Sequence, residues 1–319
     1  RPFKTYMNAL GTDFYLAIAH ELYLKQLIVA GFENVYNISG YFRNEGIDRL
    51  HNPEFTLLET MTAYKNYEYN MELTQELYQH IAKEVFGKTT FNVNGQEVDL
   101  SGKWERVMMI DAVKKYAKID FDKVHTLKDA HEALDKIDYK DDKPHTIGEC
   151  MAVVFEQEVE KHLIQPTFVT GHPVEISSLA KRMSSDPRFV ERFELFIGGD
   201  EQGDNWTELN DPVELFERFE AQLEKKRRGG DETHPMDIEF IEAMEYGMPP
   251  TTGLGPGIER LTMLFTESER IDDVIFFPIV KPAPITKQQK EIYGEAALKG
   301  NEEIVPGKQD FSKKIALVL

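Results

Sequence analysis

The chain has 319 residues, 37 of them Lys or Arg and 56 Asp or Glu, so its formal net charge is −19 with histidine neutral. A hydrophobic share of 41% with 11% aromatics suits one large domain or two small ones and excludes a disordered, collagenous or coiled-coil chain. Such acidity disfavours nonspecific binding to nucleic acid, because each phosphate contact needs a Lys or Arg; docking through a local patch stays open. The densest basic run, Lys225-Lys226-Arg227-Arg228, reads as a solvated helix end. The longest apolar runs, such as Val274 to Val280, fall far short of the roughly 18 residues a membrane helix needs, and a soluble protein without membrane contact is expected. The lone Cys150 cannot close an internal disulfide, which points to a reducing compartment, the cytoplasm, with the thiol buried as a small hydrophobe. The start at Arg1, without Met or signal-peptide pattern, reads as a fragment or as a chain whose disordered start lies before Arg1.

From Asp13 to Ala30 apolar residues recur at helical spacing and Gly31 follows as a stop, which predicts one amphipathic helix. Glu33 to Arg43 and Glu54 to Tyr64, rich in Tyr, Phe, Val, Ile and Thr, read as a long-looped antiparallel hairpin. Residues 70–165 are mostly helical in pattern and are expected to form an inserted helical subdomain. Pro166 to Gly171, Arg192 to Gly198 and Asp204 to Leu209 follow as short strands, then Pro212 to Arg228 and Pro235 to Tyr246 as helices. A glycine run at 253–257 leads into a helix from Ile258 to Thr266, and Asp273 to Phe277 reads as a last apolar strand. Strands and helices fall in separate runs without regular βαβ alternation, so the expected fold class is α+β on a mainly antiparallel sheet.

Phe42-Arg43-Asn44-Glu45-Gly46 ends one hairpin strand and His51-Asn52-Pro53-Glu54-Phe55 starts the other. Arg43, Glu45, His51, Asn52 and Phe55 therefore converge on one loop, where a guanidinium can grip phosphate or carboxylate bidentately and an aromatic ring can carry a base. A surface turn laced by ion pairs is the plainer reading. On the second strand, period two puts Glu59 and Met61 on the face of Phe55, Leu57 and Ala63, so Glu59 must be paired or protonated. It either faces a cationic ligand or is a structural acid answered by an Arg or a backbone donor.

Glu194, Glu201 and Glu208 recur at seven-residue intervals. On adjacent strands the first two can share a hard divalent cation, and Mg²⁺ on a triphosphate needs only one or two protein carboxylates, although acid-rich strands are ordinary in so acidic a chain. Gly253, Gly255 and Gly257 ahead of Ile258-Glu259-Arg260 permit close backbone approach to a ligand and match neither the dinucleotide fingerprint nor a P-loop. A tight connection between helix and strand is the alternative.

Taken together, these segments resemble the catalytic domain of class II lysyl-tRNA synthetases over roughly residues 1–280. Phe42 to Gly46 with His51 to Phe55 is similar to the family's motif 2, and Gly253 to Thr266 to its motif 3. Ile164 to Ser177, Arg192 to Gly199 and Thr207 to Pro212 lie between them in family order. The resemblance implies a six- or seven-stranded antiparallel sheet flanked by helices and carrying the helical insertion, with 281–319 as a C-terminal extension. It also implies activation of lysine with ATP and Mg²⁺, transfer to tRNA, and a homodimer. Arg43 and Arg260 are the implied catalytic residues: Arg43 meets the α-phosphate and the amino-acid carboxylate, and Arg260 and Phe55 hold the two faces of adenine. His51 is implied at the distal phosphates, Glu45 and Asn52 in the nucleotide pocket, and Glu194 and Glu201 on the metal. Glu21 is implied for the α-amino group and Glu208 for the ε-ammonium, with Glu59, Met61, Asp204 and Trp206 on the amino-acid side.

Departures from the pattern fall mainly on that side: Ala17 for an arginine, Ser39-Gly40 before motif 2, Met61 for a tyrosine, Asp204 for an asparagine and Trp206 for a phenylalanine. Pro256 interrupts the glycine run. Two further readings stay open beside the lysyl enzyme: a paralogue that ligates another amino acid or modifies a protein, and a noncatalytic sensor of amino acid or nucleotide.

Overall fold

The structure, a computed structural model, describes residues 2–227, 236–279 and 292. The side chains of the Lys225 to Arg228 run and the extension from 281 onward, apart from Ile292, lie outside the described residues.

Strands β1 (Lys4–Met7) and β2 (Thr12–Tyr15) pair in register from Lys4↔Tyr15 to Met7↔Thr12, and helix α1 spans only Glu21–Val29. The helix expected from Asp13 is thus shorter. Thr12, Phe14 and Tyr15 are good strand formers, and the β1 ladder outweighs the helical spacing around them. Strands β3 (Asn34–Phe42) and β4 (Glu54–Ala63) form the expected hairpin, from Asn34↔Thr62 to Phe42↔Glu54.

Residues 70–165 hold more than helices. Helix α2 (Tyr67–Glu84) buries Met71, Tyr78 and Ala82. Strands β5 (Thr90–Val93) and β6 (Gln96–Asp99) then pair around Asn94-Gly95, both at positive φ, and β7 (Glu105–Met108) pairs in parallel with a later strand, from Glu105↔Thr167 to Met108↔Thr170. An Asn-Gly turn between short β-forming runs is itself a hairpin signal, masked here by the helical pattern on either side. Helices α3 (Met109–Tyr116), α4 (Leu127–Lys136) and α5 (Ile147–Glu158) follow; Thr126 and Thr146 close capping boxes at the starts of α4 and α5. Cys150 is fully buried in this helical layer, and burial pushes its thiol up to about 11.

The remaining elements are β8 (Thr167–Pro173), β9 (Phe189–Ile197), β10 (Asp200–Thr207), α6 (Pro212–Arg227), α7 (Ile238–Glu245), β11 (Thr251–Pro256) and α8 (Ile258–Thr266). They complete a seven-stranded sheet in the order β3-β4-β11-β10-β9-β8-β7, antiparallel except at the β7–β8 edge. The strand expected at Asp273–Phe277 is absent from the described residues. A 3-10 turn occupies Ile271–Asp273, and Phe276 and Phe277 are exposed.

Alternation along the central strands decides which face is open. Phe193, Leu195 and Leu254 turn to one side and pack with Tyr78, Leu264 and Phe265 from α2 and α8. Arg192, Glu194, Gly253 and Gly255 turn to the other and face a cleft.

Candidate active site

The cleft measures about 510 Å³, and all fourteen residues singled out from the sequence line it. Period two on β4 delivers Phe55, Glu59 and Met61, the β3–β4 loop delivers Arg43, Glu45, His51 and Asn52, and α1 delivers Glu21 from its first turn. Strand β10 needs a device: strict alternation puts Glu201 and Asp204 on opposite faces. A bulge at Gln202, where Glu201 pairs with Phe196 but Gly203 with Leu195, shifts the phase and brings Glu201 to the side of Asp204 and Trp206.

At one end, the Arg43 guanidinium lies 5.1 Å from the centre of the Phe55 ring. Arg260 donates to the Glu201 carbonyl at 2.9 Å, pairs with the Glu201 carboxylate, and donates to Nε2 of His51 at 2.9 Å. That leaves Nδ1–H of His51 to donate to Asp48. Glu259, next to Arg260, accepts the Thr56 amide on both carboxylate oxygens at 2.9 Å and ties α8 to β4.

Glu194 and Glu201 sit on adjacent strands, each answered by an arginine: Glu194 by Arg192 at 2.6 Å and Glu201 by Arg260. Among the described residues no three His, Cys, Asp or Glu side chains gather as a closed metal cage. Burial, followed by the negative charges of neighbours including Glu194 and Glu201, pushes the nearby Glu160 carboxyl up to about 8. Two hard oxygen donors in a crowded acidic corner suit a divalent cation that takes its other ligands from a polyphosphate.

At the other end, Glu59 is buried and accepts from the Tyr41 hydroxyl and, at 2.9 Å, from the His20 amide. Of the sequence alternatives, its protein partners are neutral donors. Glu208 is fully buried; its Oε2 accepts from the Lys25 ammonium at 2.5 Å and from the Trp206 indole at 2.8 Å. Burial pushes its carboxyl up to about 8 against the opposing pull of Lys25. Asp204 takes two hydrogen bonds from Arg192, at 2.9 and 2.8 Å. Burial raises its carboxyl to about 6 against the pull of that guanidinium. The wall of the slot is Gly253, where an added Cβ would stand 2.5 Å from Glu208 Oε1 and 2.6 Å from Met61 Cε.

Sequence reasoning missed Lys25 and Arg192. Arg192 was legible in part, since period two places it beside Glu194, opposite the core residue Phe193. Lys25 had no such mark: with Glu21 it reads as an ordinary surface i,i+4 pair.

An antiparallel sheet whose open face presents an Arg-bearing hairpin loop, paired acids and a glycine-rich strand leading into an Arg-bearing helix defines a class II synthetase catalytic domain. Residues 1–281 match the family described as tRNA synthetases class II (D, K and N), and the chain belongs to it. Among its relatives, the lysine–tRNA ligase of Bacillus subtilis strain 168 is 51% identical over 278 residues, which are 87% of this chain and 56% of the relative. The lysine–tRNA ligase of Staphylococcus epidermidis is 50% identical over 281 residues, 88% of this chain and 57% of the relative. That of Thermoanaerobacter pseudethanolicus is 50% identical over 282 residues, 88% and 56%. The chain thus spans little more than half the length of these relatives.

Proposed function

We propose that this chain carries the site that activates lysine with ATP to lysyl-adenylate and passes the lysyl group to tRNA. The observation that carries this reading is the cleft's polarity: an arginine beside an aromatic ring at one end, and at the other a fully buried carboxylate whose Oε1 meets no partner among the described residues, that of Glu208.

Arg43 orients the lysine carboxylate against the α-phosphate and offsets charge as the carboxylate oxygen bonds to phosphorus and the bond to the pyrophosphate oxygen breaks. His51 and Arg260 hold the distal phosphates and the base, with Phe55 as the opposite face. Arg43 and Arg260 must leave Phe55 and Glu201 to do so, each exchanging a protein partner for a ligand. Glu45 and Asn52 line the nucleotide end. Glu194 and Glu201 would hold Mg²⁺, which when bound offsets phosphate charge. Glu21 and Glu59 face the amino end of the substrate, and Glu208, beside Asp204, Trp206 and Met61, receives the side-chain ammonium.

No nucleophilic side chain is needed, in keeping with a buried Cys150 far above its reactive range. The same reading makes the chain a homodimer through the β3 edge and the β1–β2 hairpin, which expose Tyr6, Phe14, Tyr15, Tyr36 and Ile38. No helix among the described residues is long and apolar enough to cross a membrane, and cytoplasmic work beside tRNA fits this.

Pyrophosphate exchange with each amino acid in turn, followed by tRNA charging, tests the proposal. Exchange with lysine and charging of lysine tRNA support it. Exchange confined to another amine would favour the paralogue, to which Met61 and Trp206 in the slot point; no exchange at all would leave a sensor.

A further inference from the structure

Lys25 is a charged residue buried behind the cleft lining, against Glu21 and Glu208, to which the mechanism above gives no task. It is 1% exposed, and its ammonium lies 2.5 Å from Glu21 Oε1 on its own helix and 2.5 Å from Glu208 Oε2 beyond the end of β10. The charged groups that act most strongly on Glu208 are Lys25 and Glu21, both from α1. With both carboxyls ionised, two carboxylates and one ammonium carry a single net negative charge; in the empty slot burial keeps a proton on Glu208 that an arriving ammonium must displace. Both bonds to Glu208 fall on one oxygen, because the Trp206 indole also donates to Oε2 at 2.8 Å. Oε1 is buried and meets no donor among the described residues, and it lies over Gly253, whose missing side chain leaves it room.

We propose that Lys25 is a positioning residue for amino-acid recognition: by clamping Glu21 to Glu208 it leaves the slot one unit of negative charge and one free oxygen, which accept one substrate ammonium. This rests on the reading of the cleft as an amino-acid activation site. Lys25 pulls against the burial that keeps a proton on Glu208, so without it the carboxyl would hold that proton more tightly still, and a neutral carboxyl loses its grip on a cation. Burial works against the Lys25 ammonium too, yet Glu208 and Glu21 together hold it above the ordinary lysine range, so it is present as a cation at every working pH. Lys25 also makes the slot a poor place for Mg²⁺, which two bare carboxylates would attract; Glu194 and Glu201 would hold the ion instead.

The test is Lys25→Met in the full chain, followed by pyrophosphate exchange from pH 6 to 9. The variant is expected to raise KM for lysine at least tenfold at pH 7.5 with KM for ATP within about twofold. The acid limb of kcat/KM for lysine should move up by a unit or more. A merely structural role would lower the active fraction and leave both KM values and the limb in place, and that result overturns the proposal. In case the variant does not fold, the unmodified protein supplies a second measurement, the Nζ proton and nitrogen resonances of Lys25. They are expected to shift on adding L-lysine and not on adding L-leucine; no shift with lysine bound overturns the proposal as well. Failure of the unmodified protein to exchange with any amino acid would instead strike the activation reading itself, and is scored separately.

Discussion

Gly253→Ala is the sharpest structural probe of the slot. Its Cβ would stand 2.5 Å from Glu208 Oε1, 2.6 Å from Met61 Cε and 2.8 Å from Met61 Sδ. Unstrained contacts lie near 3.5–4.0 Å, so the overlap is about 1 Å on two sides. Met61 is unbranched and can swing aside. Glu208 cannot, because any shift stretches its 2.5 Å pair with Lys25 and its 2.8 Å bond from Trp206. Overpacking of this kind costs about 1–3 kcal/mol. Subtracting the roughly 0.4–1 kcal/mol that Ala gains over Gly in the unfolded chain leaves a loss of about 0.5–2.5 kcal/mol. Gly255, two residues along the same strand, is the internal control, since a Cβ there meets nothing within 4 Å. Urea midpoints of the two variants should therefore diverge, Gly253→Ala falling and Gly255→Ala holding or rising. Exchange kinetics should show KM for lysine up about tenfold in Gly253→Ala, the equivalent of ~1.4 kcal/mol. Equal midpoints for the two variants, or an unchanged KM for lysine, would refute the reasoning that the glycine exists to admit the Glu208–Lys25 pair.

Other expectations come from the charged groups. The Glu208 carboxyl, raised from 4.5 to about 8, holds a proton in the empty slot over the range in which the unfolded chain has lost it. That group therefore makes the empty protein less stable as pH rises from the first value towards the second, and a bound ammonium reverses the trend. Lysine affinity should rise up to tenfold per unit from pH 6 to 8, with proton release visible by calorimetry in buffers of different ionisation enthalpy; a flat profile would count against it. Arg192→Gln leaves Asp204 and Glu194 without their shared cation. Because Asp204 keeps 30% of its side-chain surface exposed, the expected loss is about 2–4 kcal/mol rather than the full cost of a wholly buried pair, read as a lower thermal midpoint. Thr146→Ala removes the cap that accepts the Glu149 amide at 3.1 Å and should cost about 1 kcal/mol while leaving exchange kinetics alone.

Much of the cleft was legible before the fold, because its residues lie on regular elements whose periodicity is visible locally. The β3–β4 hairpin needed only its aromatic and branched runs, and period two on β4 put Phe55, Glu59 and Met61 on one face without knowledge of the partner strands. Where the reading failed, tertiary context or a local irregularity had intervened. Residues 12–15 are strand because β1 lies beside them, a fact absent from the spacing after Asp13. The bulge at Gln202 has no strong local signature, yet without it Glu201 leaves the cleft. Lys25 is the clearest case. A Glu and a Lys four apart on a short helix look like a solvated pair, and only Glu208, 183 residues further on, turns that pair into the floor of a binding slot.

A crystal structure with a nonhydrolysable ATP analogue and L-lysine bound together examines the central claim most directly. The adenine is predicted on Phe55 with Arg260 over its other face, the α-phosphate on Arg43, and the lysine ammonium on Glu208 Oε1 with the Lys25 pair intact. Nucleotide bound away from Phe55, or lysine bound with its ammonium turned from Glu208, would contradict the account.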